Sequence, residues 1–327
     1  MTRVHGDRRG VAMVAALWLV VAISVVALAF ATDAQERRTL GLNANERGMA
    51  RGAALGALAS VQAQLDVALR SNNQGNQALQ GVRAGDPWMG IDSAFSGTMY
   101  FDSVRVDVKA IDLGKQLNIN LADVNQLRAF FSYTIGDYAK ADQLAQTITD
   151  WRDIDDTPQQ NGEERDGYIK KGLLTLPANG PFRQVSDLLM VEGMTQEIYA
   201  RVAADLTTVG PGQIIVNTAP VEVLRSIPGI TDDIINNILN QRGRGLRIAS
   251  LASLVPGAAV AGRGGRGGAP QNMQNVQLAQ LQNAAGVNTT QVLFTMTVKS
   301  APQAQPVKLT ALMARAGTSA TITWEQW

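Results

Sequence analysis

Apolar and polar positions change period several times along the chain. From Val11 to Ala31 no charged residue occurs. As a helix this run would span about 31 Å at ~1.5 Å per residue, matching a hydrocarbon core of ~30 Å. The helical pattern then continues: Leu58, Val61, Leu65 and Leu69 recur at three- and four-residue steps, the spacing of one helix face. The stretch ERGMARGAALGALASVQAQLDVALR has no proline and is rich in alanine and leucine, both good helix formers. One helix from about 11 to 70 is predicted, apolar at its start and amphipathic later, ~90 Å long. Gly48, Gly52 and Gly56 weaken it by about 1 kcal/mol each relative to alanine. Their four-residue spacing suits close approach of another helix.

After this helix, SNNQGNQALQGVRAGDPW reads as polar loop, and a period of two takes over. In TMYFDSVRVDVKAIDLG, Val104, Val106 and Val108 alternate with Arg105, Asp107 and Lys109, as in a half-exposed strand. At the far end TQVLFTMTVKS, VKLTALMARA and ATITWEQW supply further strands, separated by Pro302, Pro306 and Gly317. The region between is mostly helical in pattern. It contains an internal repeat in which Asn120, Ala122, Leu127 and Arg128 correspond to Asn217, Ala219, Leu224 and Arg225. Hairpins of two helices are expected at Gly193 and Gly229. A glycine-rich linker covers 255–271 and lacks nucleotide-loop spacing.

The expected class is α+β: a long N-terminal helix packed on an antiparallel sheet, interrupted by a large all-helical insertion. The divisions are a leader at 1–10, the helix at 11–70 with its membrane part at 11–31, loop and first strands at 71–114, insertion at 115–290, and C-terminal strands at 291–327.

Composition narrows the function. The 29 basic residues balance 28 acidic ones, so nothing in the charge points to nucleic acid. Cysteine is absent and the one histidine is His5. This excludes disulfides, thiolate metal sites, His-ligated zinc and His-dependent triads from the body. Carboxylate chemistry remains, so a membrane-anchored glycosidase is one alternative. A DNA receptor built on the helical hairpins is another, but Asp232 and Asp233 follow the turn at Gly229 at once and would repel phosphate. Arg3, Arg8 and Arg9 precede the apolar run and place the N-terminus in the cytoplasm.

DWRDIDDTPQQNGEERD, residues 150–166, holds seven of the acidic residues. Oxygen ligands at alternate positions followed by further carboxylates suit calcium, which takes six to eight oxygens. Counted from Asp153, an EF-hand loop fails at Pro158, where a glycine is required.

These features together resemble the type IV pilin and pseudopilin family: a short basic leader ending in Gly10, a hydrophobic helix from Val11, and a sheet near the C-terminus. Most members carry glutamate at the fifth mature position, where this chain has Ala15. The branch that commonly lacks it is the K-type minor pseudopilin of type II secretion. Trp151, Asp153, Asp155, Asp156, Asn161, Gly162, Glu164, Asp166 and Tyr168 also resemble a signature of that branch, whereas Arg165 and Gly167 depart from it. The resemblance implies a non-enzymatic, single-pass inner-membrane protein with a periplasmic body. It implies cleavage between Gly10 and Val11 by prepilin peptidase, with methylation of the new terminus, and contact with the inner-membrane secretion platform. Two other minor pseudopilins are the implied partners in a tip complex that helps initiate the pseudopilus, and nucleic acid is not. Calcium is the implied cofactor, with Asp153, Asp155, Asp156, Glu164 and Asp166 as ligands. Leu58, Val61 and Leu65 are the expected assembly face of the helix.

Overall fold

A computed structural model describes residues 8–75, 88, 90–101, 104–255, 270–299 and 305–327. Residues 1–7 of the leader, most of the polar loop and the glycine-rich segment 256–269 lie outside the described residues.

Helix α1 (Arg8–Gly75) runs unbroken from the apolar segment into the body. Its part Ala16–Arg38 is long and apolar enough to cross a membrane, and none of it is buried by the rest of the chain. Farther along, Ala50, Ala54, Ala57, Leu58, Val61, Leu65 and Leu69 form one buried stripe. A four-residue helix, α2 (Ile91–Ala94), follows, and then β1 (Gly97–Phe101) and β2 (Val104–Asp112). The sequence reads these two strands as one; they form an antiparallel hairpin instead.

The insertion comprises β3 (Leu117–Asn118), α3 (Val124–Ile135), α4 (Tyr138–Arg152), α5 (Arg165–Lys170), α6 (Gln196–Val202), β4 (Leu206–Thr207), β5 (Ile214–Ile215), α7 (Val221–Leu224), α8 (Asp232–Gly243), α9 (Pro270–Ala284) and β6 (Ala285–Gly286). The chain returns to the sheet as β7 (Gln291–Lys299), β8 (Val307–Ala316) and β9 (Ser319–Gln326).

The sheet is antiparallel in the order β1-β2-β7-β8-β9. Strand alternation decides which face meets α1. Val106, Val108 and Ala110 of β2 and Val292, Phe294, Met296 and Val298 of β7 point into the same core as Leu58, Val61 and Leu65. Each fully buried leucine contributes roughly 1.5–3 kcal/mol. These three residues are therefore spent on the chain's own sheet and cannot be the assembly face expected of them. Beyond the apolar segment, the large apolar positions that α1 leaves exposed among the described residues are Met49, Leu55 and Val67. Among the described residues no second helix meets the glycines. A Cβ at Gly56 would come within 3.1 Å of the Phe101 ring, while Gly48 and Gly52 face open space.

The insertion is not all-helical. β3 pairs with β4 and β5 with β6, both parallel. Ladders of two residues are too short to show a period-2 pattern. They expose the repeat as a structural duplication. In the first half, Asn120 Nδ2 donates to the carbonyls of Phe182 (2.9 Å) and Thr208 (3.0 Å), and its Oδ1 accepts from Phe182 N at 2.8 Å. In the second, Asn217 Nδ2 donates to the carbonyls of Ile248 (2.9 Å) and Val287 (2.8 Å), and its Oδ1 accepts from Ile248 N at 2.9 Å. Arg152 donates to the carbonyls of Ile119 and Ala122, and Arg242 to those of Val216 and Ala219. The helical pairs α3–α4 and α7–α8 turn at Gly136 (φ 76°) and Gly229 (φ 75°), a backbone region open to glycine at little cost. Asp123 starts α3 with a capping box to Gln126, and the Thr231 hydroxyl caps α8. Both halves share one hydrophobic core.

Candidate metal centre

The acidic run is present in the first half and has no counterpart between α8 and Ile248 in the second. Helix α4 ends at Arg152, and the Asp153 amide still donates to the Thr149 carbonyl at 3.0 Å. Asp150 and Asp153, three residues apart at this helix end, share a face. The chain then loops outward and returns at Glu164, the residue preceding α5, whose side chain makes no capping bond. Asp150, Asp153 and Glu164 each offer a carboxylate oxygen, and these atoms lie within 4.8 Å of one another. Asp150 Oδ2 accepts from the Gln159 amide at 3.1 Å. Asp150 Oδ1, Asp153 Oδ1 and both Glu164 oxygens are buried without a hydrogen-bond partner.

Local chemistry explains the loop. A Cβ at Gly162 would overlap the Asp150 carboxylate, so the Asn-Gly pair is where the loop passes over that side chain. The Asn161 amide donates to Gln146 Oε1 at 2.8 Å and its side chain donates to Asp142 Oδ2 at 2.7 Å. Below lies an aromatic floor. Trp151 stacks on Phe182, with centroids 6.0 Å apart, and tilts against buried Tyr168 at the same distance. The Tyr168 hydroxyl accepts from the Glu192 amide at 2.8 Å, and burial pushes its pKa up to about 12.

Burial, and then the mutual repulsion of the carboxylates, shapes the electrostatics. Burial raises Asp150 to about 6, with Asp153 adding to it. Glu164 rises to about 7 through burial and then through Asp150, Asp153 and Asp156. Asp153 is raised by burial and by Asp155. Two unit charges ~4 Å apart repel by roughly 4 kcal/mol at an effective dielectric of 20. The neighbouring cations relieve this only in part, Arg152 lowering Asp153 through space. Arg152 is committed to backbone carbonyls, and Lys171 pairs with Glu163 and Glu192. Unpartnered, buried, hard oxygen donors converging from two segments fit a divalent cation.

The expected ligands divide. Asp153 and Glu164 are in the cluster, and Asp150 joins them. Asp155, Asp156 and Asp166 are exposed. Asp155 Oδ1 accepts from the Thr157 amide at 2.8 Å, and Asp156 Oδ1 accepts from the Asn179 side chain at 3.0 Å. Alternate positions after Asp153 do not converge because the helix ends there and the chain swings away. Asp150 carried a readable signal, its i,i+3 relation to Asp153 at a helix terminus. Elsewhere, Gly10 and Val11 fall in the first turn of α1. At the second hairpin, Asp232 pairs with Arg225 at 2.8 Å, which neutralises the cation a phosphate would need.

Residues 105–210, from β2 through the first half of the insertion, match the family model for type II secretion system protein K. In a solved structure of the GspK-GspI-GspJ complex from the enterotoxigenic Escherichia coli type 2 secretion system, one chain aligns with 84% of this chain and 96% of its own length. Its identity is 18% and its TM-score 0.55. At that identity the likeness speaks for the fold, which is pilin-like. No curated protein sequence matches the chain significantly. The resemblance to the K-type pseudopilins is thus borne out, and the acidic cluster lies inside the matched stretch.

Proposed function

We propose that this protein is a minor pseudopilin at the tip of a type II secretion pseudopilus, and that its acidic loop holds a calcium ion. The observation that carries the tip position is the insertion, 113–290, standing on one end of the inner strands β2 and β7 of a pilin-like sheet. Such a body obstructs lateral packing within a narrow fibre and is tolerated at its end. Ala15 agrees, since it offers no carboxylate to the amino terminus of a subunit above. The partners are then two other minor pseudopilins, as in the complex solved for the E. coli protein, and the role is structural. Helix α1 anchors the chain in the inner membrane with its body in the periplasm. Prepilin peptidase cleaves after Gly10, Val11 becomes the methylated terminus, and the membrane platform drives assembly. The outward face of α1, with Met49, Leu55 and Val67, meets the partners.

Co-purification with the two partner pseudopilins tests the assembly. Val67→Asp is expected to weaken it while leaving folding intact, and undiminished association would move the interface off α1. Mature protein beginning at Thr32 instead of Val11 would overturn the pilin reading as a whole. The metal is tested separately by calorimetry and elemental analysis on the purified chain. Calcium is expected at Asp150, Asp153 and Glu164, held more tightly than magnesium, which demands near-ideal octahedral geometry.

A further inference from the structure

The insertion leaves the sheet at the end of β2 and returns at the start of β7, where Asp112 lies opposite Val292. A body attached by two adjacent strands can pivot unless contacts beside the stalk fix its angle. The contact found there is made by Asp112 itself, which is fully buried. Its Oδ1 accepts from the Gly114 amide at 2.9 Å. Its Oδ2 accepts from the Thr218 hydroxyl at 2.9 Å and from the Thr289 hydroxyl at 2.8 Å. Gly114 belongs to the outgoing strand's turn and Thr289 to the returning segment. Thr218 follows β5 in the second half of the insertion. The same turn is keyed sterically, because a Cβ at Gly114 would overlap the Ile215 side chain of β5.

We propose that Asp112 is a latch that fixes the angle of the insertion on the sheet, with the Thr218 hydroxyl as the element it grips. Of the three donors, Gly114 and Thr289 travel with the stalk, so only the Thr218 contact can open without unpicking the end of the β2–β7 ladder. Opening it leaves a buried carboxylate oxygen short of a donor, which holds the closed position. Beside the latch lies a cleft of about 900 Å³, between Ile111, Leu293 and Trp324 of the sheet and Val185, Leu206 and Pro220 of the insertion. A rotation about the stalk changes the width of this cleft, so the latch sets it. Asp112 lies outside the acidic loop, and the inference is independent of metal binding and of the tip position.

The chain has no cysteine, so a spin-label pair can be introduced at two exposed sites, Lys308→Cys on β8 and Asn240→Cys on α8, in the full chain in detergent. Pulsed electron resonance is expected to give one narrow distance distribution for this parent. Thr218→Val should broaden and shift it. Thr218→Ser, which keeps the hydroxyl, should restore the narrow distribution. Asp112→Asn should broaden it as well, and if that variant fails to fold, the Thr218 pair decides alone. An unchanged distribution in Thr218→Val would overturn the latch.

Discussion

The two halves of the insertion close the same framework in different ways. In the second, Arg242 near the end of α8 and the clamp at Ile248 are joined by a short turn through Gly245 (φ 71°). In the first, the chain travels from Arg152 through the whole acidic loop and α5 before reaching the equivalent clamp at Phe182. The framework therefore does not require carboxylates, and the second half shows how little chain suffices. What the first half gains is a pair of segments that bring carboxylates of like charge together. It anchors them by inserting Tyr168 beside Trp151, yet leaves four carboxylate oxygens unsatisfied. A framework this economical in one copy makes the acidic loop of the other stand out as an added ligand site.

The largest effect should come from what the halves share. Asn120→Ala and Asn217→Ala each remove three hydrogen bonds and strand buried backbone groups, at a cost of roughly 2–4 kcal/mol. Urea denaturation should place the two within about 1 kcal/mol of each other, and a wide gap would break the equivalence of the halves. Metal should act on one half only. EDTA is expected to lower the melting temperature and calcium to restore it, by up to roughly 2.7 kcal/mol at a hundred-fold excess over Kd. Asp150→Asn or Glu164→Gln should abolish the response and Asp155→Asn should not. Hydrogen exchange should then rise in the acidic loop and stay constant at 244–248; uniform change across both would contradict a local site.

A smaller effect follows from pH. Asp150 and Glu164 have folded-state values raised to about 6 and about 7. A raised carboxyl stabilises the folded state below its ordinary range and loses that contribution as pH climbs through the raised value. Metal-free protein should therefore lose stability between about pH 4 and 7, and Glu164→Gln should flatten most of that slope. Calcium should invert it, because deprotonation creates the ligands. The smallest effect should be Gly245→Ala, about 1 kcal/mol for a side chain at positive φ, with no change in calcium response.

Periodicity made the amphipathic part of α1 and the strands β2, β7 and β8 legible, because one face of each is buried and the other is not. Asn120 and Asn217 were legible as a repeat but not as clamps. Their carbonyl partners come from other segments, 31 to 88 residues away, and carbonyls leave no mark in side-chain sequence. The same holds for Arg152 and Arg242, which look like ordinary basic residues at helix ends. The acidic centre was half legible. Charge density located it, but the choice of ligands depended on where α4 stops, and a shift of one turn exchanges Asp155 for Asp150.

The absence of a break in α1 carries a mechanical consequence. No proline interrupts residues 8–75, and the helix that is apolar at Ala16–Arg38 is the same one whose Leu58, Val61 and Leu65 are locked into the sheet. Tension applied at the bilayer end is thus delivered along the rod to the body without a compliant joint to absorb it. The exposed apolar segment, moreover, cannot leave lipid for water at a tolerable free energy, since each large side chain would forfeit roughly 1.5–3 kcal/mol. Hoisting this protein out of the bilayer requires a receiving surface as oily as the one it departs.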